Sequence, residues 1–160
     1  MIMPMNPIDI LMIANEDRCH FNGFCLEDGE AAYATVIGAS NTAAGWRKMR
    51  ADGGMVIDMR SDEIIVGGLA MPHTPRIYRG ALYVLEAGSG WFGKVDRTTG
   101  TFQQLAWFPG FLRGLSFHGG YAVIGLSKPR NKIFTGLPLD EELNKREREP
   151  ECAVYVVRLS

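Results

Sequence analysis

The 160-residue chain has no basic excess, no closely spaced cysteine pair and no long uninterrupted apolar run, and each absence removes a class of function. A formal net charge of -1 gives nucleic acid or an anionic membrane nothing to hold, because both demand a basic excess on some face. The single dense charge run, Asp140 to Glu151, alternates in sign and is expected to be a solvated surface. Cys19, Cys25 and Cys152 form no CxxC pair and are odd in number, which fits reduced thiols and a cytoplasmic protein. The apolar opening MIMPMNPIDILMIA has no basic residue before Arg18 and is interrupted by Pro4, Asn6, Pro7 and Asp9, so it predicts neither a signal peptide nor a membrane span. Missing too are HExxH, an Asp-rich calcium loop, a GxSxG elbow around Ser89 or Ser127, and a phosphate-loop spacing in Gly38 to Gly54. No metal site is therefore expected, and the sequence names neither a cofactor nor a catalytic residue.

What the chain does have is repetition. Three turn-like pairs, Asp28-Gly29, Arg79-Gly80 and Gly119-Gly120, each stand between two short strand-like runs. The run before is NGFCLE, HTPRIY or RGLSFH, and the more apolar run after is EAAYATVIG, ALYVLEAG or YAVIGLS. Such pairs supply the positive φ angles of two-residue hairpin turns, with Arg-Gly expected to supply one of them. Further strand material follows: GGMVIDM and EIIVGGL, then WFGKVDR and TFQQLAWF, then AVYVVRLS alone. Four antiparallel strands in each unit of roughly 40 to 50 residues is the period of propeller blades. The predicted fold is all-β, with about three propeller-type blades in one domain over residues 1–160; a β-sandwich is the structural alternative.

Counting back seven residues from the turn glycines reaches Asn22, His73 and Arg113, polar residues at equivalent places in successive units. They are expected to converge where the inner strands begin, near the mouth of a central tunnel. By two-residue alternation, His20 shares a face with Asn22 and Phe24. Met71-Pro72-His73-Thr74-Pro75-Arg76 brings the chain inward and adds Arg76 to the candidate set. Glu86 ends the next strand and is placed to meet His73 at one rim. Two inserts exceed what a hairpin needs, and such loops are often functional. Gly38 to Gly54 offers Asn41 and Trp46 for ligand contact, although a buried Trp46 under a lid is the plainer reading. Residues 128–151 form a surface insert with a short helix predicted over Leu139 to Glu149. Both inserts occupy equivalent connections and are expected on the same face. Trp91 and Trp107 are expected to fill gaps between sheets, and His118 to be exposed.

The segments Asp17-Arg18-Cys19-His20-Phe21-Asn22-Gly23, Gly45-Trp46-Arg47, Met71-Pro72-His73-Thr74-Pro75-Arg76, Pro109-Gly110-Phe111-Leu112-Arg113-Gly114-Leu115, Gly125-Leu126-Ser127-Lys128-Pro129 and Gly136-Leu137-Pro138-Leu139 carry a resemblance. Together they resemble an uncharacterised bacterial family of conserved hypothetical proteins with a domain of unknown function, a family expected to fold as a β-propeller. The resemblance spans about Asp17 to Leu159 and implies no activity. Members of that family are longer on both sides, which leaves a fragment or a ring closed by two copies. In the second case residues 1–16 act as a leader, with Ile8 to Ala14 of one copy completing the last unit of the other in a six-bladed homodimer.

Three functions are compatible with these residues. The favoured one is binding of a small polar or anionic ligand by His20, Asn22, Asn41, Trp46, His73, Arg76, Glu86 and Arg113. A lactonase-like hydrolase or lyase, using a metal or a His/Glu pair, is an analogy at the level of fold. A protein-interaction scaffold would use the 128–151 insert. Each polar inner-strand residue also has a purely structural reading, as a hydrogen-bond partner for the neighbouring blade's backbone.

Overall fold

A computed structural model of the chain describes residues 15–129 and 135–159, and the expected leader strand at Ile8 to Ala14 lies outside the described residues. The fold is all-β with one short helix. β1 (Phe21–Glu27), β2 (Glu30–Val36), β3 (Gly54–Asp58) and β4 (Glu63–Leu69) form the first sheet in sequence order. β5 (Pro72–Tyr78), β6 (Ala81–Glu86), β7 (Trp91–Asp96) and β8 (Thr101–Trp107) form the second sheet in the same way. The third sheet holds three strands, β9 (Phe111–His118), β10 (Tyr121–Ser127) and β11 (Val154–Arg158). Every pairing is antiparallel between chain neighbours, so each sheet is a meander.

The inner hairpins of all three sheets close in the same manner. Asp28 and Gly29 have φ of 55° and 85°, Arg79 and Gly80 of 51° and 75°, and Gly119 and Gly120 of 53° and 87°. Two successive left-handed residues match the right-handed twist of the flanking strands. Arg79 thus takes the left-handed conformation as well as Gly80, which goes beyond the single positive φ expected of Arg-Gly.

The sheets stack face to face and make two apolar interfaces. Between the first and second lie Cys25, Tyr33, Val56 and Val66 against Leu82, Val84 and Val95. Between the second and third, Leu85 and Phe92 meet Leu112, Leu115, Ala122 and Ile124. Phe92 is fully buried there, and its removal from water contributes about 2 to 3 kcal/mol. Helix α1 (Pro138–Lys145) closes the end of this core with Leu139 and Leu143, and its Leu139 amide donates to the Gly88 carbonyl at 2.9 Å. The helix is shorter than its predicted span to Glu149, because Glu147 turns left-handed with φ of 50°.

Inner strands β1, β5 and β9 lie side by side, β5 packing against both others. β1 approaches the start of β5 so closely that a side chain at Gly23 would lie 3.2 Å from Pro75 Cδ and 3.3 Å from the Thr74 amide nitrogen. The two inserts also meet: Arg47, Lys48 and Arg50 line a hollow of about 100 Å³ with Gly136 and Leu137. They sit on the same end of the stack, where the inner strands begin.

Candidate functional site

At the start of β5 the backbone is irregular. Met71 and Thr74 have φ of 47° and 49°, and His20, just before β1, has 53°. Left-handed backbone is uncommon for any residue with a side chain and a true outlier for β-branched Thr74. The pairing of β5 with β6 goes from His73 opposite Leu85 to Arg76 opposite Tyr83, so one extra residue bulges out of β5. A bulge re-aims the side chains around it. Here it turns the Thr74 hydroxyl towards β9, where it donates to the Arg113 carbonyl at 2.7 Å, and brings His73 Nδ1 to 2.7 Å from that same hydroxyl oxygen.

His73 is half-buried, and burial is the main reason its pKa falls from 6.5 to about 4; the positive charges of Arg113, His20 and Arg76 add to the fall. The imidazole is therefore neutral at neutral pH, with the Arg113 and Arg76 guanidiniums within electrostatic reach. Arg76 donates through Nη1 to the Pro75 carbonyl at 2.8 Å, while the Arg113 guanidinium lies 5.5 Å from the centre of the Phe111 ring. Thr74, Arg76 and Arg113 line an open hollow of about 430 Å³ together with Leu115, Val123 and Val154.

Asn22 belongs to the same rim as a brace. Its amide donates to the Pro72 carbonyl at 2.7 Å, and its oxygen accepts from the fully buried Thr35 hydroxyl at 2.6 Å. The alternation expected from His20 through Asn22 to Phe24 is broken by a register shift between Phe21 and Gly23. Asn22 consequently turns towards the second sheet, whereas Phe24 remains 48% exposed. His20 leans on Trp46 with ring centroids 4.2 Å apart, and both bind Asp17, the imidazole Nδ1 at 2.7 Å and the indole N–H at 2.9 Å. Trp46 is buried, and Asn41 stands apart, accepting from Arg18 at 2.8 Å.

Glu86 does not meet His73. It sits opposite Pro72 in the β5–β6 ladder, and alternation puts it on the other face from His73, which pairs with Leu85. Its buried carboxylate accepts from the Ala70 amide at 3.0 Å and the Ser89 hydroxyl at 2.6 Å, tying two connections together. The structure thus gathers His20, Asn22, His73, Arg76 and Arg113 at one rim, with Trp46 behind His20, and separates Glu86 and Asn41 from them. Among the described residues no group of three His, Cys, Asp or Glu side chains is gathered closely enough to hold a metal ion.

A family model, described as a domain of unknown function (DUF4915), matches residues 4–160. The chain belongs to this family. No curated protein matches the chain significantly. The match places all of the rim, from Asp17 to Arg113, inside the DUF4915 domain. Within that domain, sequence reasoning overlooked Asp17 and Thr74. Asp17 had a signal, since it precedes His20 by three residues in the same polar segment; Thr74 had none beyond its place between His73 and Pro75.

The buried Tyr33 ring lies between Arg60 and Arg97, whose guanidiniums are 5.2 and 5.7 Å from its centre, and Glu27 accepts from both arginines at 2.9 and 3.1 Å. The Arg60 hydrogen bond is the largest single influence on Glu27 and holds its carboxyl below the usual range. Trp91 and Trp107 are half-buried, and the Arg146 guanidinium of the second insert covers both. Among the described residues no helix is long and apolar enough to cross a membrane.

Proposed function

We propose that this protein binds a small anionic ligand at the rim where β1, β5 and β9 begin. The observation that carries the reading is the neutral His73 set among Arg113, His20 and Arg76, with the two arginines sharing one open hollow. Guanidinium groups that line one hollow can give an anion charge-assisted hydrogen bonds. Calorimetric titration with acetate, phosphate and larger carboxylates tests it, comparing the wild type with Arg113→Gln. A charge-assisted hydrogen bond of about 1.5 to 3 kcal/mol makes the expected loss about tenfold or more, and unchanged affinity would overturn the reading.

The hydrolase or lyase reading loses its His/Glu pair, since Glu86 is committed elsewhere. The scaffold reading has less surface than its length implies: Leu137, Leu139 and Leu143 of the second insert are buried in the core.

A second copy as partner has its own support. The outward face of the first sheet exposes Phe24, Leu26 and Ile64, and that of the third exposes Val154 and Val156 around the facing Gly114 and Gly125. A two-fold axis can join both pairs of faces at once, and a second copy there would cover the hollow that Arg76, Arg113, Gly114, Gly125 and Val154 line, so this partner and the anion are alternative occupants of it. Light scattering is expected to give a dimer at micromolar concentration; a monomer would reject this partner.

A further inference from the structure

Just ahead of β1, two side chains meet at one carboxylate oxygen. Asp17 Oδ2 lies 2.7 Å from His20 Nδ1 and accepts from the Trp46 indole N–H at 2.9 Å. An ionised carboxylate can only accept, so Nδ1 carries the hydrogen and the lone pair of the neutral ring sits on Nε2. Nε2 makes no hydrogen bond among the described residues, and no buried side-chain polar atom among them lacks a partner, so Nε2 is reachable by solvent. The His20 side chain is 39% exposed, yet it is held twice, by Asp17 and by the Trp46 ring at 4.2 Å between centroids. Its backbone also takes an uncommon left-handed φ of 53°. Fastening the first insert requires no imidazole here, because the indole already donates to Asp17 and the Asp17 carbonyl accepts from the Ala44 amide at 2.7 Å.

We infer that Asp17 and His20 form a nucleophilic dyad whose substrates are acyl compounds, with Nε2 of His20 as the attacking atom and Asp17 as a positioning residue. Nε2 gives its lone pair to the acyl carbon, and the leaving group departs with the electron pair of its bond to that carbon. The positive charge that develops on the ring is offset by the Asp17 carboxylate at Nδ1, an interaction that strengthens as the new bond forms. Water then adds to the acyl carbon, the ring recovers its lone pair, and the carboxylic acid leaves with one proton passed to solvent. Of the three histidines only His20 has this arrangement: His118 is exposed with no carboxylate beside it among the described residues, and His73 is half-buried against the Thr74 hydroxyl. The dyad is a different pair from His73 and Glu86. It is also independent of the anion site, since neither Asp17 nor His20 lines the hollow shared by Arg76 and Arg113.

The test uses the whole chain and two acyl probes, diethyl pyrocarbonate and p-nitrophenyl acetate, with His118 as internal reference. Nitrogen-15 NMR near pH 8, well above the ordinary imidazole pKa of about 6.5, is expected to show His20 protonated at Nδ1 and bare at Nε2. Peptide mapping after brief diethyl pyrocarbonate treatment is expected to show His20 carbethoxylated about tenfold faster than His118, the size of one charge-assisted hydrogen bond gained in the transition state. Asp17→Asn keeps an acceptor for the ring and the indole but removes the charge, and should bring the two rates within about twofold. His20→Asn should remove most of the p-nitrophenyl acetate cleavage, and His118→Asn should leave it unchanged. If Asp17→Asn does not fold, the wild type and His20→Asn still decide. A proton on Nε2 in the wild type, equal modification of His20 and His118, or ester cleavage unchanged in His20→Asn overturns the inference. The anion site stands or falls separately, on the titrations with Arg113→Gln.

Discussion

Acid should weaken this fold through one histidine, and the size of the effect follows from its surroundings. In the unfolded chain an imidazole takes up a proton near pH 6.5, whereas His73 in the fold does so only near pH 4. Between those values the unfolded state binds more protons, so stability falls as pH drops from about 6.5 and levels off below about 4. Down to pH 5 the displacement corresponds to about 2 kcal/mol, reduced to about 1 kcal/mol by the solvent that still reaches the half-buried ring. The groups facing the imidazole are Arg76 on its own strand, Arg113 on β9 and His20 ahead of β1, all of which oppose a further positive charge. The window from pH 7 to pH 5 is chosen because the depressed carboxyls, Glu27, Asp58, Asp96 and Glu151, lose their contributions only at lower pH. Urea unfolding followed by tryptophan fluorescence at pH 7, 6 and 5 measures the slope, and His73→Asn, which retains a donor for Thr74, removes the titrating group. The wild type should lose about 1 kcal/mol more than the variant across the window. If the two curves run parallel, His73 is not held neutral by burial and the electrostatic account of the rim fails.

Asn22→Ala should destabilise by about 1 to 3 kcal/mol in thermal or urea unfolding, because the Pro72 carbonyl and the buried Thr35 hydroxyl both lose a partner. Glu86→Ala should cost about 2 to 3 kcal/mol while leaving phosphate affinity within about twofold, since its carboxylate serves Ala70 and Ser89 and not the rim; a collapse of binding in a folded Glu86→Ala protein would put it back in the site. Gly54→Ala should prevent soluble folding or lower stability by more than about 3 kcal/mol, because the added carbon would lie 2.2 Å from Pro72 Cδ and 2.5 Å from the Leu69 carbonyl, and neither can move alone.

The sheets were legible because their punctuation is local. A two-residue turn such as Asp28-Gly29 declares itself by residue type, and the apolar run after each turn declares which strand is buried deepest. The rim was legible only in part. Asn22, His73 and Arg113 stand at matching distances from their turns, and their neighbourhood is real: Asn22 reaches the Pro72 carbonyl and Thr74 reaches the Arg113 carbonyl. What each side chain does there was not legible, because it depends on the bulges at Asn22 and Thr74. A bulge shifts the alternation by one residue, and no residue type in either segment announces it. Glu86 shows the same limit in another form. Its place at a strand end could be read, but its partners come from a turn and from the preceding sheet's last connection, contacts set by how the sheets stack.

The two ends of the stack are built differently, and the difference coincides with the proposed ligand site. At the hairpin-turn end the left-handed positions all fall in turns between paired strands, in pairs at Asp28-Gly29, Arg79-Gly80 and Gly119-Gly120 and singly at Asp62 and Gly100, and charged groups pair with one another, as in the Tyr33, Arg60, Arg97 and Glu27 cluster. At the other end His20, Met71 and Thr74 take left-handed backbone outside any tight turn. Each such residue costs of order 1 kcal/mol or more and persists only where surrounding structure enforces it. Packing alone gives no reason to keep three of them within one rim, since regular strand entry would bury the same apolar side chains. At Thr74 the effect is to bring the hydroxyl to the Arg113 carbonyl and to His73, while His20 is held against Trp46 and Asp17. A fold that spends stability in this way on one rim carries a local cost there that regular strand entry does not, and the proposed ligand site coincides with it.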